Sequence, residues 1–261
     1  MEDAKENRRG TLAALSRLWQ GPPAYSAATP WGPGDALLAT GCIVLVADAA
    51  AGLIFGKSHS TFFSWLLPSS FSLLHFDGQR GLQAAALTGQ GIVVVLILAV
   101  NRQFGGLVTN KLALRAPEGG WRAYVASVLL TFLIVLNVYT LLDPAFKSVN
   151  QITRHTDRIA WLLDGLASIF GASVSEELLF RAFLTGALAR SALGYSGATI
   201  LTSALWAALH LRFSLMDMVS LFSMGLFFSW LLWRTGSVRV PIICHACVGA
   251  FGFLTSTTVG F

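Results

Sequence analysis

Charge is what this sequence has least of. Asp, Glu, Lys and Arg together make up 12% of 261 residues, against about 25% in an ordinary globular domain. Hydrophobic residues make up 54%, and the mean hydropathy is +0.64. A water-soluble fold of this length needs a more polar surface, so that class is excluded. Cysteine is scarce as well. Cys42, Cys244 and Cys247 all fall in apolar stretches, and three thiols cannot build a disulfide framework. The run Cys244-His245-Ala246-Cys247 lacks the second ligand pair of a structural zinc site, and no HExxH helix is present. Internal repeats and low-complexity tracts are also missing. No apolar h-region precedes residue 36, so a cleavable signal peptide is not expected.

What fills the chain instead is long apolar runs. Crossing the hydrocarbon of a bilayer takes about 20 residues, and seven segments are read as spans: 36–55, 82–100, 124–142, 159–189, 198–211, 215–233 and 238–259. The segment 61–76 is apolar and aromatic but short, with Pro68 at its centre. It reads as interfacial or re-entrant, with an eighth span as the alternative. The net charge of +5 is then a signal of topology, not of a nucleic-acid partner. With the N-terminus in the cytoplasm, that side receives eleven Lys and Arg residues and the opposite side six, as the positive-inside rule asks. These readings give an all-α, polytopic transmembrane bundle with a soluble N-terminal arm (1–35), mobile or lying on the surface, N-terminal membrane helices (36–145) and a helical core (155–259). The expected location is the cell inner membrane.

Within span 159–189 stand two adjacent carboxylates, Glu176 and Glu177, with Arg181 four residues on. Ionised groups at that depth are costly, at least about 2.5 kcal/mol each on insertion scales, and normally face a cavity, a partner and a function. Glu177 and Arg181 share one helical face and can neutralise each other, which leaves Glu176 pointing about 100° away. The next helix contains Trp206-Ala-Ala-Leu-His210. With the turn centred near residue 193, Glu176 and His210 lie equally far from it, roughly 25 Å along antiparallel helices at ~1.5 Å per residue. His245 is the second histidine inside a span. A carboxylate and two imidazoles in a dry site suffice to activate water: the carboxylate takes a proton, and the imidazoles orient the nucleophile or stabilise the oxyanion. Asp48 and Asp164, also in spans, are expected to serve helix–helix hydrogen bonding.

The stretch Ser175-Glu-Glu-Leu-Leu-Phe-Arg-Ala-Phe-Leu184 resembles the EExxxR motif of the CAAX prenyl endopeptidase and bacteriocin-processing (CPBP, or Abi) family of intramembrane proteases. Trp206 to His210 is similar to that family's FxxxH motif, with Trp in place of Phe. The run from Thr235 through Arg239-Val-Pro-Ile-Ile-Cys-His245-Ala resembles the third block, which ends in HxxxN; Gly249 stands where the Asn is expected. The three ordered blocks cover about residues 160–255. The resemblance implies that Glu176 is the general base, His210 its partner and His245 the oxyanion stabiliser, with Glu177, Arg181 and Gly249 in supporting positions. It implies a peptide or protein substrate, lipidated or not, cleaved near the cytoplasmic face of the membrane, and no cofactor. Zinc held by Glu176, His210 and His245 is the alternative.

Other chemistries fit less well. Gly171-Ala-Ser173-Val only approximates the GxSG of rhomboid proteases, and Gly32-Pro-Gly-Asp35 spells an aspartyl GxGD ahead of the first span with no partner aspartate downstream. The reading is therefore an intramembrane endopeptidase working through Glu-activated water. The runner-up is a membrane scaffold or immunity protein of the same fold whose turnover is impaired through Gly249.

Overall fold

The computed structural model describes residues 16, 23–55, 78–146, 153–155, 158–210 and 215–259. Among these, eight helices follow in chain order: α1 (Pro33–Phe55), α2 (Gly78–Gln103), the single turn α3 (Val108–Lys111), α4 (Trp121–Phe146), α5 (Arg158–Leu188), α6 (Gly194–Ala208), α7 (Leu215–Thr235) and α8 (Arg239–Ser256). The architecture is all-helical, as the composition leads one to expect. The only strand pairing among the described residues joins β1 (Thr153–His155) in parallel to β2 (Thr257–Val259), which ties the entry of α5 to the exit of α8. Each of the seven expected spans overlaps one of these helices, but 198–211 runs past the end of α6 and 238–259 runs past α8 into β2. Four of them, α1, α2, α5 and α7, are long and apolar enough to cross a membrane, while the described apolar parts of α4 and α8 are shorter. The segment 61–76 lies outside the described residues.

Helix α5 is the axis of the bundle, with α1, α2, α6, α7 and α8 all packed against it. It is not wound uniformly. Two π-helical stretches, Leu166–Gly171 and Glu177–Leu184, interrupt it, and π segments inside α-helices recur at functional sites. A π turn holds more residues, so the helix rises less per residue and its carbonyls lose their usual i+4 donors. Other donors take over here. The Thr185 hydroxyl donates to the Phe180 carbonyl at 2.7 Å, and the Trp31 indole donates to the Phe183 carbonyl at 3.3 Å.

Small residues set how closely the neighbours approach α5. A Cβ at Gly165 would lie 3.0 Å from the Phe253 ring of α8. At Gly225 of α7 it would meet the Ser203 Cβ of α6 at 2.8 Å and Arg181 Nη2 at 3.1 Å. Without a hydrophobic drive between helices in lipid, such close backbone packing is a main source of association.

The ends of α7 and α8 fix the depth of the last helix. Gly236, with φ +67, reverses the chain after α7, where its N–H reaches the Leu232 carbonyl at 2.8 Å, a conformation that suits glycine at a helix C-terminus. Val238 N–H donates to Ala113 O at 2.9 Å, and the Ser237 hydroxyl donates to Arg115 O at 2.5 Å. Pro241 sits in the first turn of α8, where its missing N–H costs nothing. His245 follows about 6 Å further along the helix axis.

The described part of the N-terminal arm, residues 23–32, docks on this same end of the bundle. Ala24 and Tyr25 donate their N–H groups to Trp233 O, Arg115 Nη2 reaches Ala24 O at 2.9 Å, and Trp31 is buried with its ring stacked on Phe183 at 4.6 Å. Burial pushes the Tyr25 hydroxyl well above its ordinary value, against a smaller opposing pull from Arg115.

Candidate active site

The polar groups of α5 point into the contact with α6, α7 and α8. Glu177 and Arg181 are both fully buried, and Arg181 Nε stands 3.3 Å from Glu177 Oε2. The pair is neutral as a unit, which is what allows two ionised groups at this depth. The guanidinium lies over the Trp206 ring with Cζ 4.4 Å from its centroid, and 5.8 Å from that of Phe228. Aromatic faces thus take the place of further oxygen partners for a cation removed from water.

The second oxygen of Glu177 has its own partner. His245 Nδ1 lies 3.0 Å from Glu177 Oε1, so α8 is bonded to α5 through the same carboxylate that holds Arg181. The imidazole stacks on Phe228 at 5.2 Å and meets the Trp206 ring edge-on at 5.7 Å. Its side chain keeps 13% exposure where that of Glu177 has none, so His245 stands at the front of the site and Glu177 behind it.

Glu176 turns away from this pair, as a 100° step along the helix requires. It is only partly buried, and its Oε2 accepts the Trp206 indole N–H at 2.5 Å. His210 follows the end of α6, and its Nδ1 lies 3.0 Å from the Trp206 carbonyl. A carbonyl only accepts, so Nδ1 carries a proton and donates it to this bond. The His210 and Trp206 ring centroids are 5.7 Å apart.

The hairpin spacing puts Glu176 and His210 at one depth. In the structure Glu176 is bonded to Trp206, one turn before His210. The reduced rise of the π segment 177–184, which lies between Glu176 and the turn, leaves the carboxylate nearer the turn than uniform α geometry would. Trp206 therefore borders all three groups singled out from the sequence: it is bonded to Glu176 and flanked by both imidazoles. Two features of this arrangement were not foreseen. One is the Glu177–His245 bond across 68 positions, and the other is the indole as a donor. The Trp at the Phe position of the second block was the one visible sign of the latter.

Gly249 lies one turn beyond His245. A Cβ there would be 2.7 Å from the Ser168 carbonyl oxygen and 3.5 Å from Ile169 Cα, both backbone atoms of α5. No side chain fits without moving a helix. The space that an Asn would need is filled by the main chain of the first π segment.

Residues 158–251 match the family model described as type II CAAX prenyl endopeptidase Rce1-like. This stretch is similar to an Rce1-like domain. It runs from the start of α5 into α8 and contains Glu176, Glu177, Arg181, Trp206, His210, His245 and Gly249. Together with the apolar helices around it, the match supports an integral membrane protein and a membrane protease function. No curated protein and no solved structure matches the chain.

Among the described residues no group of three His, Cys, Asp or Glu side chains is placed to hold a metal ion. Glu176 and the two imidazoles each contact the Trp206 side chain. All three cysteines are free thiols, with Cys244 buried directly beside His245 in sequence.

Proposed function

We propose that the chain is an intramembrane endopeptidase of the CAAX type that hydrolyses a peptide bond near the membrane interface with water activated by Glu176. The observation that carries this reading is the convergence of Glu176, His210 and His245 on one indole, all three partly accessible, in front of a sealed Glu177–Arg181 pair. Charged groups that served packing alone would be buried like that pair.

In this reaction Glu176 takes a proton from water and the resulting hydroxide attacks the scissile carbonyl carbon. His210, its tautomer fixed through the Trp206 carbonyl, orients the water. His245, held at Nδ1 by Glu177 Oε1, turns its other ring nitrogen to the oxyanion and donates to it as the imidazolium, in which both ring nitrogens carry a proton. Collapse of the tetrahedral intermediate breaks the C–N bond, and Glu176 returns its proton to the leaving amine. Substrate enters laterally between helices. The distribution of basic residues places the N-terminus in the cytoplasm, and the membrane is the inner membrane of the cell. Peptides with a prenylated C-terminal tail suit a site of this family that opens toward lipid.

The test uses purified full-length protein in liposomes with a farnesylated peptide ending in a CaaX tail as probe. Wild type should release the C-terminal fragment, and Glu176→Ala should lose at least about 10²-fold in rate, the ordinary contribution of general base catalysis. Wild-type cleavage by a folded Glu176→Ala protein overturns the reading. Stoichiometric zinc in the purified protein, lost in Glu176→Ala, shifts Glu176 from base to metal ligand.

A further inference from the structure

Of the two places where the chain departs from the CPBP blocks, one sheds a side chain and the other adds a hydrogen-bond donor. At Gly249 the missing Asn is explained by helix approach, because the Ser168 carbonyl occupies its space. At residue 206 the chain carries Trp where the second block has Phe. The nitrogen that distinguishes the two rings lies 2.5 Å from Glu176 Oε2.

We propose that Trp206 is the positioning residue of this site, holding the Glu176 carboxylate by its indole N–H and His210 by its backbone carbonyl so that base and imidazole keep a fixed separation. The proposal rests on the reading of Glu176 as the base. A phenyl ring in this position would fill similar space and still offer a face to Arg181, but it has nothing to donate.

Several contacts fix the orientation of the indole. Its side chain is 2% exposed, one face carries the Arg181 guanidinium at 4.4 Å, and Phe228 packs at 6.4 Å. A donor held by packing loses little freedom when it bonds, which is what separates positioning from a chance contact. The donor is also neutral. Arg181 is tied to Glu177, the other carboxylate of the pair. Glu176 is thereby anchored through one oxygen, while the carboxylate keeps lone pairs on the other for a water proton.

The same residue sets the second imidazole partner. The Trp206 carbonyl accepts from His210 Nδ1, so rotation or displacement of α6 moves the indole N–H and the histidine together. One residue on α6 thus couples the base on α5 to the imidazole at the end of α6. The Glu177–His245 bond does the equivalent work between α5 and α8.

The experiment combines kinetics on the farnesylated CaaX peptide with NMR of the full chain carrying ¹⁵N-labelled tryptophan. Trp206→Phe should lower kcat about ten- to a hundredfold with KM within twofold, since a misplacement of about 1 Å at the reacting groups costs about 10²-fold in rate. The indole resonance absent from Trp206→Phe should shift upfield in Glu176→Gln, where the acceptor is no longer charged. Replacing Trp206 by benzothienylalanine, which keeps the shape and exchanges the N–H for sulfur, should reproduce the kcat loss if the phenyl variant folds poorly. An inactive Glu176→Ala beside a Trp206→Phe of wild-type kcat overturns this proposal and leaves the function standing. An indole resonance that Glu176→Gln does not move also overturns it. Wild-type activity in Glu176→Ala overturns the function instead.

Discussion

Each acidic residue of the Glu176-Glu177 pair has a different neighbour, and the difference decides what each does. Glu177 is sealed, with Arg181 on one oxygen and His245 on the other. Removing Arg181 leaves that carboxylate buried beside an imidazole alone, and breaking a buried pair from one side costs about 3–5 kcal/mol. Arg181→Ala should therefore lower the melting temperature sharply in detergent. Arg181→Ala combined with Glu177→Gln should recover part of the loss, because the charge left behind is also gone. Thermal unfolding followed by circular dichroism checks both. The Glu177–Arg181 pairing was legible from spacing, since i and i+4 positions face each other. The Glu177–His245 bond was not, because nothing in the local sequence reports which residue of a helix 68 positions away lies at the same depth.

At the scale of the helix, winding and side-chain size decide what meets what. Counting at a uniform rise placed Glu176 and His210 on facing stretches of α5 and α6, and Glu176 is bonded to Trp206, one turn of α6 before His210. The count did not allow for the π segment of α5, which shortens the rise per residue and of which sequence patterns carry no strong mark. Gly249 shows the reverse case, in which a departure from a family pattern has a packing reason that only neighbours reveal. Its hypothetical Cβ meets backbone, not a movable side chain, so Gly249→Ala should push α8 away from α5. Overpacking of this kind costs about 1–3 kcal/mol, and His245 rides on the displaced helix. A lower melting temperature together with a reduced kcat is the expected result, measured on the variant in liposomes.

For the molecule as a whole, composition and the lengths of apolar runs were enough to place the helices, because a bilayer imposes one solvent and one length on every span. The seven expected segments all overlap helices, with the ends of 198–211 and 238–259 read too long, and the stretch that resembled the CPBP blocks lies where the Rce1-like model matches. The docking of residues 23–32 was less legible. An arm without periodicity gives no sign of where Trp31 will lodge, and its partner, the Phe183 carbonyl, needs a donor only because α5 is π-wound there. The bundle thus places one partly exposed carboxylate among two imidazoles and an indole inside apolar helices, and the account stands or falls on what that carboxylate does. The most direct measurement is the rate at which the liposome-reconstituted full chain cleaves the farnesylated CaaX peptide, compared with Glu176→Gln, which keeps the size of the side chain and removes its basicity. The account predicts a loss of at least about 10²-fold in kcat with the melting temperature unchanged, and a Glu176→Gln protein that turns over at the wild-type rate contradicts it.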